Sequence, residues 1–188
     1  MKRAAFRAEV AELAVCNFVF VDEMGVNLAL AREYGRAAPG VRVVEATPSA
    51  RGENLSVIGA LGLTGMRAMM SVPGAVDGAA CQVFIEEVLV PQLRAGEIVL
   101  MDNVPTHKMA VLEQAIKSVG ARVLFLPPYS PDCSPIENCW SKIKTILRGI
   151  GARTRTELEE ALTKALAMLT LDDVVGWFAH CGYVDALN

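Results

Sequence analysis

The 188-residue chain has no apolar run approaching the ~18 uncharged residues that a membrane-spanning helix needs. Its start, Met1 to Arg7, is basic, but Glu9 and Glu12 fall where a secretory signal requires an apolar stretch, so a cytoplasmic location with no membrane partner is expected. Cysteine is sparse and unpatterned. The five residues, Cys16, Cys81, Cys133, Cys139 and Cys181, are odd in number and include no Cys-x-x-Cys, which argues against a disulfide framework or a zinc site. Cys16, Cys81 and Cys139 stand among apolar neighbours and are expected to act as small core side chains. There is no internal repeat and no low-complexity segment, so a solenoid or a disordered tail is not expected. An excess of positive charge is missing too. The 18 Lys and Arg against 21 Asp and Glu leave a net charge of −3, which argues mildly against a nucleic-acid partner. That average conceals a local bias: from Ser134 to Arg155, two lysines and three arginines face the single acid Glu137.

What is abundant is hydrophobic sequence, 53 % of the residues, enough for one domain with a substantial core. Residues 1–16 read as an N-terminal helix or linker. Asn17 to Val21 is a buried strand that stops at Asp22. A turn at Gly25 then leads to a second strand over Val26 to Ala31, with others over Val41 to Ala46 and Leu55 to Leu63. The short links between them favour antiparallel pairing. Asp77 to Leu93 has helical periodicity with Val83, Phe84, Val88 and Leu89 on one face. Ile98 to Met101 is a buried strand that stops at Asp102. A helix follows from Thr106 to about Val119, then a strand over Val123 to Leu126. Further helices run from Ser134 to about Leu147, from a cap at Thr156 to about Leu169, and over Asp172 to Ala179. This order predicts an α/β fold, a mixed sheet with helices on both faces.

Asp22 and Asp102 each end an apolar strand. If those strands are parallel neighbours, the carboxylates meet at the edge of the sheet where ligands bind. Two carboxylates held close raise each other's pKa unless a cation intervenes, and oxygen ligands favour magnesium or manganese. Taken singly, either Asp reads equally as a turn former. Ser134-Pro135-Ile136-Glu137 fits a capping box, a role that can coexist with metal binding. Ile136, Trp140, Ile143 and Leu147 form an apolar stripe. Glu137, Ser141, Lys144 and Arg148 form a polar stripe beside it, from which Lys144 and Arg148 can reach phosphates or simply face solvent. His107, five residues after Asp102, reads as a general base or substrate contact or as a polar residue at a helix start. Asn103 orients Asp102 or serves the turn. His180 reads as structural.

Three blocks together resemble the mariner-like superfamily of DDE transposases, especially its bacterial insertion-sequence branch. They are Phe20-Val21-Asp22-Glu23-Met24-Gly25 with the later Tyr34-Gly35-Arg36, then Met101-Asp102-Asn103-Val104-Pro105-Thr106-His107-Lys108, then the long run from Leu126-Pro127-Pro128-Tyr129-Ser130-Pro131 through Ile136-Glu137 to Lys144. Between Asp102 and Glu137 lie 34 residues, the family's usual spacing. The resemblance implies a ribonuclease H-like fold with a five-stranded mixed sheet over residues 17–150 and C-terminal helices (151–188) packed on the same domain. It implies that Asp22, Asp102 and Glu137 are catalytic and hold two Mg²⁺ ions, with Mn²⁺ able to substitute. Asn103 and His107 would support the site, and Lys142, Lys144 and Arg148 would bind DNA. Water would cut the phosphodiester at the element end, and the freed 3′-hydroxyl would attack target DNA in line. A homodimer, bacterial and nucleoid-associated, is implied as well. Family members carry helix-turn-helix modules ahead of this domain. The 16 or so residues here leave no room for them, so a separate helix-turn-helix polypeptide is an expected partner. Two other readings stay open: another ribonuclease H-like nuclease, and a non-catalytic remnant that binds DNA or a partner transposase. A phosphatase using Asp22 as nucleophile needs a second Asp at position 24, which is Met.

Overall fold

The computed structural model describes residues 3–50, 52–102 and 106–184, except for the side chains of 106–109. Helix α1 (Arg3–Ala11) opens the chain and buries Phe6 and Val10. Strand β1 (Phe18–Asn27) leads through a long irregular connection to β2 (Asn54–Gly62) and β3 (Gly65–Pro73). Helix α2 (Gly78–Val83) continues as a π-helical stretch, Phe84–Leu89. Then come β4 (Ile98–Met101), α3 (Thr106–Ser118), β5 (Arg122–Phe125), α4 (Pro135–Ile150), α5 (Arg155–Ala167) and α6 (Leu171–His180). The sheet is mixed, in the order β3-β2-β1-β4-β5. β1, β2 and β3 pair antiparallel, whereas β4 lies parallel to both β1 and β5.

Alternation along the strands divides the core in two. Phe18, Phe20, Leu100 and Leu61 point to the face covered by α1, α4, α5 and α6. Val19, Val21, Val99 and Ala60 point to the face covered by the Phe84–Leu89 stretch and α3. Leu158, Leu162, Val174 and Phe178 of the last two helices belong to the first of these clusters. Among the described residues no helix is long and apolar enough to cross a membrane.

Several local expectations need correction. β1 does not stop at Asp22 or turn at Gly25. It runs on to Asn27, and Gly25 pairs with Ser56. Residues Phe18 to Val21 lie between two strands and two helical layers and are all buried. β4 ends at Met101, so beyond Asp22 one flank of β1 is open, and burial alternates with Met24 and Val26 inside, Glu23 and Gly25 outside. A strand that changes from continuous to alternating burial looks in sequence like a strand followed by a turn. The strand expected over Val41 to Ala46 lies in the irregular connection, where Val41, Val43 and Val44 are exposed. β3 was not expected, because Met66, Arg67, Ala68, Met69 and Met70 carry little β preference; pairing to β2 across a two-residue turn imposes it.

In the Asp77–Leu93 region, the i→i+5 bonding of the π stretch rotates the face, so that Phe84, Ile85 and Leu89 are buried while Val83 is exposed. α5 is capped by Thr154, whose box partner is Glu157, and not by Thr156. Cys16 is exposed and Cys81 partly so; the buried thiols are Cys133, Cys139 and Cys181. Burial pushes Cys139 up to about 12 and Cys181 up to about 11, which keeps both protonated and unreactive.

Candidate active site

The parallel register of β1 and β4 runs to Val21 opposite Met101. The next residues, Asp22 within β1 and Asp102 just past the end of β4, therefore stand side by side at the same level. A third acid comes from α4, whose buried stripe (Ile136, Trp140, Ile143, Leu147) seats the helix against β1 and β2. That docking brings Glu137, in the first turn of α4, to the same place. Asp22, Asp102 and Glu137 line one cleft of about 550 Å³. Asp22 is half-buried, and the other two are exposed. Asp22 and Asp102 also border a second cleft, of about 510 Å³, on the side of Ile58 and Cys81.

The electrostatics follow from this geometry. Burial raises the Asp22 carboxyl from 3.8 to about 7; the Glu23 N–H opposes the rise, and the charges of Glu137 and Asp102 add to it. Among the described residues none of the three acids forms an ion pair with a Lys, Arg or His. The cleft thus gathers acidic groups that, among the described residues, no cationic side chain offsets.

A stability consequence can be measured. Because the folded pKa of Asp22 lies above its unfolded value, the folded state holds the proton more tightly between pH 3.8 and about 7. The stabilisation is present below pH 3.8 and is lost as pH rises through about 7. Without divalent cations, Tm is expected to fall by a few degrees from pH 5 to pH 8, about 2–4 °C for each kcal/mol in a chain of this size. Asp22→Asn should flatten that part of the profile. A profile unchanged by the substitution would show that Asp22 is not the group titrating.

The capping box expected at Ser134 and Glu137 does not form. The Ser134 side chain makes no cap hydrogen bond; only its carbonyl accepts, from the Glu137 N–H at 3.1 Å. Ser134 is buried instead, and Glu137 is left facing the cleft at the positive end of the helix dipole.

Two residues of the site escaped the sequence reading. The indole Nε1 of Trp140 donates to Oδ2 of Asp22 at 3.1 Å, and Trp140 is almost wholly buried (1 % exposed). Gly59 sits opposite Asp22 in β2, and a Cβ there would lie 2.5 Å from Cη2 of Trp140. The missing side chain makes the space that lets the indole reach the carboxylate. In the sequence Trp140 reads only as a member of the apolar stripe. The available signal was that a buried indole N–H needs an acceptor, and Trp140 lies three residues after Glu137 on the same helix.

The other expected residues are distributed as follows. Asn103 lies outside the described residues. His107 falls in α3, but its side chain also lies outside them. Lys142 is bonded to Asp173. Arg148 pairs with Glu33 at 2.9 Å. Lys144 is half-buried and, among the described residues, forms no ion pair.

Among the described residues no three His, Cys, Asp or Glu side chains stand close enough together to hold a metal ion. The donor set itself, three carboxylates with no sulfur or imidazole among the described cleft residues, fits a hard divalent cation.

Residues 17–159 match the family model described as DDE superfamily endonuclease. Among solved structures, a chain of the pre-cleavage Mos1 transpososome superposes with a TM-score of 0.78 at 17 % identity, covering 96 % of this chain and 57 % of that one. The Mos1 mariner paired-end complex with Mg gives 0.68 at 16 % identity, covering 98 % of this chain and 61 % of that one. The catalytic domain of Mos1 mariner transposase gives 0.68 at 15 % identity, covering 96 % and 85 %. At these identities the likeness establishes the fold, the ribonuclease H-like mixed sheet. This chain spans less than two thirds of the length of the transpososome chains it matches. No curated protein matches it significantly.

Proposed function

The chain belongs to the DDE superfamily of endonucleases, and from that premise we propose that it is the catalytic domain of a DNA transposase, which cuts DNA at an element end and joins the freed 3′-hydroxyl to a target. The observation that carries this reading is the convergence of Asp22, Asp102 and Glu137, from three separate parts of the chain, on one cleft. Two solved Mos1 mariner paired-end complexes contain Mn or Mg, which supports a divalent requirement here. We assign Asp22, Asp102 and Glu137 as the ligands of two Mg²⁺ ions, replaceable by Mn²⁺. When bound, such ions activate the attacking oxygen and stabilise the leaving one.

The chain's own residues supply position and charge. The parallel pairing of β1 and β4, which ends at Val21 and Met101, sets Asp22 within β1 beside Asp102 just past β4. Trp140 donates to Oδ2 of Asp22 and the Glu23 N–H also bonds to the carboxylate, which together restrain its orientation. Glu137 extends from the start of a helix whose buried stripe prevents it from rolling. Asn103, the next residue after Asp102, and His107, five residues after it, are proposed to support the site. The partners proposed are DNA, as element ends and target, a second copy of the chain to bring two ends together, and a separate helix-turn-helix module for end recognition.

Of the three cations assigned to DNA, Lys144 forms no ion pair among the described residues, whereas Lys142 and Arg148 must first leave Asp173 and Glu33. Lys144→Ala should therefore weaken binding of any DNA sequence and lower the slope of log affinity against log salt by about 1. Lys142→Ala and Arg148→Ala should change that slope less. Equal slopes for wild type and Lys144→Ala, measured by fluorescence anisotropy, would remove Lys144 from the interface.

The proposal is tested with a labelled, pre-nicked DNA end incubated with the protein and Mn²⁺. Metal-dependent joined products are expected. Hydrolysis without joining would favour a different nuclease of the same fold. A folded protein that neither binds Mn²⁺ nor reacts would favour a non-catalytic remnant.

A further inference from the structure

Besides the acids, the rim of the cleft carries an unusual residue. Pro128-Tyr129-Ser130 crosses the rim as a tight turn, in which the Ser130 hydroxyl donates to the Pro128 carbonyl at 3.3 Å. Ser130 is itself buried, and its carbonyl accepts from the Cys133 N–H at 3.0 Å. Just upstream, the Leu126 N–H is tied to the Met101 carbonyl at 3.0 Å. Pro127, Pro128 and Pro131 fix φ at three positions of the same stretch. On this stiff mount Tyr129 has φ 54°, and among the described residues it is the one non-glycine with positive φ. Its side chain is 100 % exposed, although the residue lines the cleft with the acids.

Both features work against the folded chain. Left-handed backbone is disfavoured for a residue with a Cβ, and a fully exposed ring gains nothing from burial. Strained backbone persists where its surroundings over-determine it, and such positions cluster at functional sites. The ring is neutral and planar and stands beside three carboxylates. Those charges repel a phosphate, whereas the face of a base stacks on an aromatic ring whatever its sequence. We propose that Tyr129 is a stacking platform for a nucleobase next to the phosphodiester held at the acids. This rests on DNA being the substrate. A cut or frayed end, where a base can leave its helical stack, is the form of DNA that fits.

The test uses a duplex end carrying 2-aminopurine beside the reacting phosphodiester, bound at low salt with Ca²⁺ in place of Mg²⁺. Wild type should quench the 2-aminopurine emission, and Tyr129→Phe and Tyr129→Trp should do the same. Tyr129→Ala should lose the quench and bind about tenfold more weakly, within the range expected for one base–aromatic stack. Its circular dichroism should be unchanged, because the side chain packs against nothing. A Tyr129→Ala protein that quenches and binds like wild type would overturn the inference while leaving DNA as the substrate. Tyr129→Phe as weak as Tyr129→Ala would overturn stacking in favour of the hydroxyl. A wild type that does not bind the DNA end at all would overturn both this inference and the transposase reading.

Discussion

Glu137→Gln, Asp22→Asn and Asp102→Asn are each expected to abolish metal-dependent joining of a DNA end, by about three orders of magnitude or more, equivalent to ~4 kcal/mol of transition-state stabilisation. None should unfold the protein. Asp102 and Glu137 are exposed, and Asp22 carries a charge that burial opposes. Removing that charge should raise the cation-free Tm at pH 8, not lower it. Loss of activity with gain of stability is the pattern of a group retained for chemistry. It separates the catalytic role from a structural one, because a turn-forming Asp or a helix-capping Glu would lose stability when amidated. A variant that joins DNA at the wild-type rate would remove its residue from the reacting centre.

The second large effect is expected at a residue with no side chain, directly opposite Asp22 in the sheet. Gly59→Ala puts a methyl group 2.5 Å from Cη2 and 3.0 Å from Cζ2 of a buried indole. The indole is rigid and enclosed, so it cannot yield as a flexible side chain would. Overpacking of this kind costs about 1–3 kcal/mol, or roughly 2–12 °C of Tm in a chain this long. Joining should fall as well, because the displaced indole no longer holds Asp22. Gly25→Ala, on the neighbouring strand, provides the control. A Cβ at Gly25 meets nothing within 4 Å, so both readouts should stay near wild type. Trp140→Phe separates packing from positioning: it keeps an aromatic ring in the core and removes the N–H. Its Mn²⁺ affinity should drop about tenfold, as expected when a partner of a metal ligand is lost. Unchanged Mn²⁺ affinity in Trp140→Phe would leave the indole with a packing role only.

These expectations show which parts of the molecule could be read from its sequence. The meeting of Asp22, Asp102 and Glu137 at one cleft could, because Phe18 to Val21 and Ile98 to Met101 are short, fully apolar runs each followed by Asp, and because the block from Leu126 to Lys144 is long and specific. The mixed sheet with helices on both faces followed from the same runs. β3 could not be read, since its Met-rich sequence has little strand preference and its pairing with β2 imposes the conformation. The second half of β1 was hidden by a glycine that happens to lie at a solvent-facing position. The fit of Gly59 to Trp140, and of Trp140 to Asp22, depends on β2 lying beside β1 in one register and on α4 crossing both. No spacing within a single element encodes it. Arg148 reads as a cation on a solvent-facing helix stripe and Lys142 as one of the residues the resemblance assigns to DNA; only the tertiary structure pairs them with Glu33 and Asp173.

The central claim is that Asp22, Asp102 and Glu137 form one metal-binding centre. It is tested most directly by titrating Mn²⁺ into the metal-free protein and following free Mn²⁺ by electron paramagnetic resonance. The account predicts saturable binding to the wild type, weakened in all three amide variants, since each removes a ligand from the same cluster. Wild-type binding curves in all three variants would contradict it.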